Sequence, residues 1–213
     1  MFKTLYNKGM AVGDKLRNAE YELYKKKKRQ RLKNTDFTII ASNCMGTFMY
    51  YDLKVPFLSP TINLNIEIND FVKMVENLEW YISQEITELE GESDRCPVGL
   101  LGDIKIYFVH YDTFSEGVSK WEERKRRINR NNMFIVGTET DTCTCETLAR
   151  FERLPYPDKV IFTHREYPEF KSAFHIKGFE QKGGLCCLPT YKKQLLKRRY
   201  VDDFDYVTFL NRL

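Results

Sequence analysis

Three short runs of apolar, β-rich residues restrict the fold of this chain more than any other feature: Phe37-Thr38-Ile39-Ile40-Ala41, Met133-Phe134-Ile135-Val136-Gly137 and Lys159-Val160-Ile161-Phe162. None alternates strictly between apolar and polar residues, so each reads as a strand buried on both faces. The first is followed by a small, polar turn and a helical pattern through Leu53, the second by a short helix from Cys145 to Phe151. Repetition of strand, turn and helix predicts an α/β domain with a largely parallel, Rossmann-like sheet covered by helices on both faces.

Other elements fit around this frame. Phe71, Met74, Val75, Leu78, Ile82 and Ile86 recur at three-to-four spacing and predict one helix, capped by Asn69 or Asp70. Val98 to Leu101 and Ile104 to Val109 flank Gly102-Asp103 as two strands or one interrupted strand. A helix capped by Thr113 or Ser115 runs to about Ile128, and another spans Asp202 to Leu210; between residue 176 and that last helix the pattern blurs.

Charge is distributed unevenly. The net +4 of the 213 residues divides into 11 Lys+Arg against 3 Asp+Glu in residues 1–33, a net of +8, and a net of −4 in the remainder. We therefore expect a basic helical N-terminal extension over 1–33, followed by a single α/β domain over 34–213. The body has no basic stripe with interleaved aromatics, which argues against nucleic acid as partner. A basic, weakly amphipathic lead carrying Leu5, Leu16, Leu23 and Tyr24 suits an anionic membrane surface instead. With no run of about 18 uncharged apolar residues and no secretion signal, the expected location is cytoplasmic, peripheral on the inner face of the membrane.

The 15 Phe and 13 Tyr exclude a disordered chain. Six cysteines, at 44, 96, 143, 145, 186 and 187, form no CxxC pair, so no structural metal is expected, and all but Cys44 read as small buried hydrophobes. No P-loop, GxGxxG, HExxH or GxSxG motif is present.

Ligands of open α/β sheets bind beyond the carboxyl ends of strands. Four segments are expected to meet there: Ser42-Asn43-Cys44-Met45-Gly46, His110-Tyr111-Asp112, Thr138 to Asp141, and Thr163-His164-Arg165-Glu166. Cys44, at a strand-to-helix turn, is placed for activation as a thiolate by backbone N–H groups and the helix dipole. Gly46 would let backbone approach a ligand, and Asn43 would donate to an oxyanion. His110 is the expected base, oriented by Asp112 or Asp103. Trp121, Arg124 and Arg127 share a helical face suited to gripping a phosphate. Asp203-Phe204-Asp205 has the DxD shape of a metal–nucleotide-sugar site.

Five ordered blocks carry a family resemblance: Ser42-Asn43-Cys44-x-Gly46 with Tyr51-Asp52-Leu53; Phe57-x-Ser59-Pro60-Thr61-x-Asn63-Leu64; Gly102-Asp103-Ile104; Phe108-x-His110-Tyr111; and Trp121-x-x-Arg124-x-x-Arg127-Ile128-Asn129. Over about residues 35 to 170 the chain resembles the uncharacterised bacterial exopolysaccharide biosynthesis family, whose members are encoded among capsule genes. The Asn-Cys-x-Gly turn is also similar to the Asn-Cys-Gln-Gly turn of capsule proteins thought to be coenzyme A-dependent acyltransferases, with Met45 here standing in place of Gln. The resemblance implies a transferase of polysaccharide assembly that moves an acetyl or similar group from a coenzyme A thioester to a hydroxyl of a lipid-linked or nucleotide-linked glycan. His110 would be its base, Asn43 its oxyanion donor, and Cys44 either a nucleophile or a structural thiol. Ser42, Gly46, Asn63, Asp103, Trp121, Arg124, Arg127, Asn129 and His164 would contact ligand, with Asp112 supporting His110. Two alternatives stay open: a glycosyltransferase-like enzyme holding a metal on Asp203 and Asp205, and a noncatalytic organiser seated on the membrane.

Overall fold

The computed structural model describes residues 2–185 and 188–212, with backbone alone over 2–13. Its first element, α1 (Phe2–Arg31), is followed by β1 (Thr38–Ala41), α2 (Met45–Leu53), α3 (Ile68–Glu76), α4 (Leu78–Ser83), β2 (Ile86–Glu88), β3 (Val98–Leu101) and β4 (Ile104–Tyr107). Then come α5 (Phe114–Lys125), β5 (Met133–Thr138), α6 (Cys145–Glu152), β6 (Lys159–Thr163), β7 (Ala173–His175), a 3-10 turn (Tyr200–Asp203) and α7 (Tyr206–Leu210).

The three apolar runs become β1, β5 and β6 of a four-stranded, all-parallel sheet in the order β1-β5-β6-β7. Alternate residues serve opposite faces. Ile40, Ile135 and Ile161 join α3, α5 and α6 in one core, while Ile39, Phe134, Val136 and Phe162 join α2 and α7 in the other. The free edge of β1 is closed by side chains: the N–H of Ile39 donates to Tyr50 Oη (2.9 Å) and that of Ala41 to Thr61 Oγ1 (3.0 Å). The edge therefore offers no unpaired template to another strand.

Four sequence expectations change. The predicted 69–86 helix breaks at Asn77, a non-helical residue (φ −135°, ψ 47°) that ends α3 and precedes α4. Ile86 leaves the helical pattern altogether, because it pairs with Leu101 in a separate antiparallel sheet, β2-β3-β4. The Gly102-Asp103 turn makes β3 and β4 a hairpin of that second sheet, with Gly102 at φ 61°. The parallel sheet gains β7, for which the sequence carries no clear pattern.

Helix α1 is basic as expected, but its second half is built into the body. Lys28 Nζ lies 2.6 Å from Asp202, Arg198 grips Glu20 at 2.8 and 2.9 Å, and Arg29 donates to the carbonyl of Asp52 (2.9 Å). Tyr21, Lys25 and Lys28 are buried there, beside a buried Arg199–Asp52 pair (2.9 Å). Burial pushes the Lys28 ammonium down and the Asp52 carboxyl up, each opposed by its partner's charge. Three cations of residues 1–33, Lys25, Lys28 and Arg31, thus face carboxylates of the body, Asp52, Asp202 and Asp205. No described helix is long and apolar enough to cross a membrane.

Candidate active site

The Ser42–Gly46 turn, the end of β5 and the end of β6 do converge at the carboxyl edge of the parallel sheet. Ser42 fastens the turn to β5, donating its N–H to the Val136 carbonyl (3.0 Å) and accepting the Thr138 N–H on Oγ (3.1 Å). Asn43 Oδ1 accepts the Met45 N–H (3.0 Å), which leaves the amide Nδ2 as a donor. Asn63 adopts a left-handed conformation (φ 61°), with its N–H donating to Thr47 Oγ1 (3.0 Å), and so ties the following loop to α2.

Beside this turn lies a cavity of about 220 Å³, with Asn43, Cys44, Asn65 and Thr138 as its polar lining and Met45, Val109, Leu185 and Leu188 among the apolar residues. Thr138 is only 3% exposed, and its Oγ1 has no hydrogen-bond partner among the described residues. A buried orphan hydroxyl in a cavity wall is a place for a ligand's polar atom. Gly184 lets the covering segment lie against residues 140 and 141, since a Cβ there would come within 2.6 Å of the Thr140 carbonyl carbon.

Two expectations for the turn are corrected. Burial pushes the Cys44 thiol up to about 11, overriding the turn's backbone N–H, so it stays protonated at neutral pH instead of becoming a thiolate. Gly46 faces protein: a Cβ there would stand 3.0 Å from Ala41 Cβ and 3.2 Å from Ile39 Cγ2, so glycine serves the packing of α2 on β1.

The next residue after Thr138 begins a second constellation. Glu139, 2% exposed, accepts the backbone N–H of His164 (2.8 Å) and the ring Nδ1–H (2.7 Å) on Oε2, and the Tyr167 hydroxyl (3.0 Å) on Oε1. A carboxylate can only accept, so the neutral ring carries its proton on Nδ1 and presents a basic Nε2. Arg165, exposed, stacks on Tyr167 at 4.9 Å and adds a cation at the rim. The loop after Glu139 is pinned by Glu67, which accepts the Thr140 (2.8 Å) and Thr142 hydroxyls. Burial works to raise the Glu67 carboxyl, but these hydrogen bonds prevail and hold it below its ordinary range. His175, at the end of β7, stands 3.8 Å from Glu166 and 3.4 Å from Glu180.

Other expected site residues lie elsewhere. His110 follows a strand of the antiparallel sheet; it is exposed and makes no hydrogen bond or ion pair among the described residues, although its neighbour Val109 reaches the cavity. Asp112 lines a different cleft, with Glu88, Glu90 and Asp94. Asp103 occupies the hairpin turn at the opposite end of β4, bound to Lys73 and Tyr81 (2.7 Å), so it cannot orient His110. Trp121 is a core residue, 1% exposed. Arg124 turns inward to Tyr111 Oη (2.5 Å) and the Ile62 carbonyl, while Arg127 pairs with Glu123. Asn129 braces the amino end of β1 through Thr38 and Asp36, at the far edge of the sheet. Asp203 pairs with Lys192, Asp205 with Arg31, and no described cluster of three or more His, Cys, Asp or Glu could hold a metal.

The cysteine expectation is also revised: Cys145 is exposed, Cys96 and Cys143 are half-buried, and Cys186 and Cys187 lie outside the described residues. The sequence marks the Thr138–Asp141 segment as part of the rim but singles out neither Thr138 nor Glu139 within it, nor Tyr167 beyond it. An acidic residue two positions after the apolar run Met133–Gly137 is the available signal for Glu139.

A family model described as a domain of unknown function, DUF1919, matches residues 15–211. An uncharacterised protein of Haemophilus influenzae is 39% identical over 183 residues, covering 86% of this chain and 88% of the relative.

Proposed function

The chain belongs to the DUF1919 family, and we propose that it is a transferase that moves an acyl group from a coenzyme A thioester to a glycan hydroxyl in surface polysaccharide assembly. The observation that carries this reading is the Glu139–His164 pair at the carboxyl edge of the sheet, one residue along from the orphan hydroxyl of Thr138. Adjacent strand residues leave on opposite sides, so the cavity and the imidazole flank the end of β5. A ligand laid across that end meets both.

The cavity suits the thin end of a long donor. Typical pockets for whole ligands are ~300–1,000 Å³, and about 220 Å³ accommodates an acyl thioester and the tip of its pantetheine arm. Asn43 Nδ2 would donate to the thioester oxygen as negative charge develops. Thr138 Oγ1 would bond an amide of the arm. His164 Nε2 takes the proton of the acceptor hydroxyl; the oxygen attacks the thioester carbonyl, the C–O bond forms, and the C–S bond breaks. The departing thiolate receives the proton from the imidazolium, whose charge Glu139 stabilises. Cys44 contributes shape and apolarity, not a covalent intermediate.

Acetyl coenzyme A is expected to raise the melting temperature of the full-length chain, and Val109→Trp, which fills the cavity, is expected to remove that rise. Stabilisation by a nucleotide sugar only with Mg²⁺ or Mn²⁺, and none by acetyl coenzyme A, would overturn the proposal.

A further inference from the structure

We propose that the loop from Tyr191 to Arg199, with Leu195 and Leu196 at its tip, docks this protein onto the surface of an anionic lipid bilayer. No residue of this loop lines the cavity at the carboxyl edge of the sheet, and its docking does not depend on the transferase reading.

Leu195 is 87% exposed and Leu196 50%. Scattered exposed leucines need no explanation, but an adjacent pair held outward by a rigid stem does. The stem is closed by an antiparallel Tyr191–Arg199 bridge and by the Lys192 N–H donating to the Arg198 carbonyl (2.8 Å). Its root is fixed as well. Arg199 is buried on Asp52, Arg198 holds Glu20, Lys197 donates to Asn18 Oδ1 (2.6 Å), and Arg17 reaches the Gln194 carbonyl (3.4 Å). These contacts set the loop against α1 next to Leu16, itself 67% exposed. Three leucines thus face solvent where the fold gains nothing from them.

Cations surround this tip. Lys192 and Lys193 precede the leucines, and Lys197, Arg198 and Arg199 follow them. The nearby carboxylates Glu20 and Asp203 are already matched by Arg198 and Lys192, which leaves Lys193 and Lys197 without a carboxylate partner among the described residues. Behind the tip, a cleft lined by Lys177, Lys192 and Lys193 together with Tyr191 and Tyr200 can receive a headgroup phosphate. A protruding apolar tip ringed by lysines matches a surface that yields around it: leucines enter the acyl boundary while ammonium groups stay at the anionic headgroups.

Flotation of the full-length protein with vesicles tests this directly. Recovery is expected with phosphatidylcholine vesicles containing phosphatidylglycerol and not with phosphatidylcholine alone. Leu195→Ala/Leu196→Ala should weaken partitioning at least tenfold or so without changing the melting temperature, because both side chains lie outside the core. Lys193→Glu/Lys197→Glu should weaken it by a similar factor, and added salt should do the same. Flotation unchanged in the leucine variant would overturn the assignment. So would a vesicle-independent self-association, seen by sedimentation, that the leucine variant abolishes, since the occupant would then be a second copy of this chain.

Discussion

Cys44 illustrates how position and environment can oppose each other at one residue. Its place just before α2 favours a thiolate, yet burial raises its pKa to about 11. The thiol is neutral below that value, so its rate of alkylation by iodoacetamide should be low at pH 7 to 8 and rise about tenfold per pH unit toward 11. Mass spectrometry of Cys44 across pH checks this, and rapid labelling at pH 7 would contradict it. The strand, turn and helix around Cys44 were legible in Ile39 to Leu53. Its burial was not, because Leu185 and Leu188 arrive from a distant segment where the pattern blurs. The same distance effect hid the proposed base. His110 follows an apolar run just as His164 does, and only the pairing of strands separates a histidine of the parallel rim from one beyond an antiparallel hairpin.

Helix α1 shows the limit of reading charge along a chain. Lys25, Lys28, Arg29 and Arg31 are a basic run in sequence, but in space they meet Asp52, Asp202 and Asp205. Asp52→Ala leaves Arg199 buried without its counter-charge and is expected to cost ~3–5 kcal/mol. Urea denaturation measures this, and a midpoint equal to that of the parent would contradict the assigned role of the pair. Acid acts on the same junction. The hydrogen bond from Arg198 holds the Glu20 carboxyl below its ordinary 4.5, so its contribution is complete above that value and lost as pH falls through the lowered folded-state value. Protection of the amides in residues 17–24, each exchange rate taken relative to the intrinsic rate at its own pH, should therefore fall at pH 3 relative to pH 6, and equal protection would contradict it. The broken 69–86 helix is the converse case: its apolar period continues through Asn77, but pairing of Ile86 with Leu101 decides the outcome.

For the molecule as a whole, the parallel sheet collects its chemistry at one edge. Three of the four expected segments arrive there, Thr138 and Glu139 among them, and Tyr167 is added from outside. The exposed leucine loop begins two residues beyond Pro189, which also lines the cavity, so docking it on a bilayer would bring the carboxyl edge toward membrane-held glycan carriers. His164, oriented by Glu139, is the proposed base of this edge. Its most direct test is the composition of surface polysaccharide from cells whose only copy carries His164→Gln, with His110→Gln as the companion strain. The His164 variant is expected to fold, accumulate normally and lose one acyl substituent from an otherwise complete polymer, while the His110 variant keeps it. Unchanged polysaccharide in the His164 strain, or loss of a sugar instead of an acyl group, would contradict it.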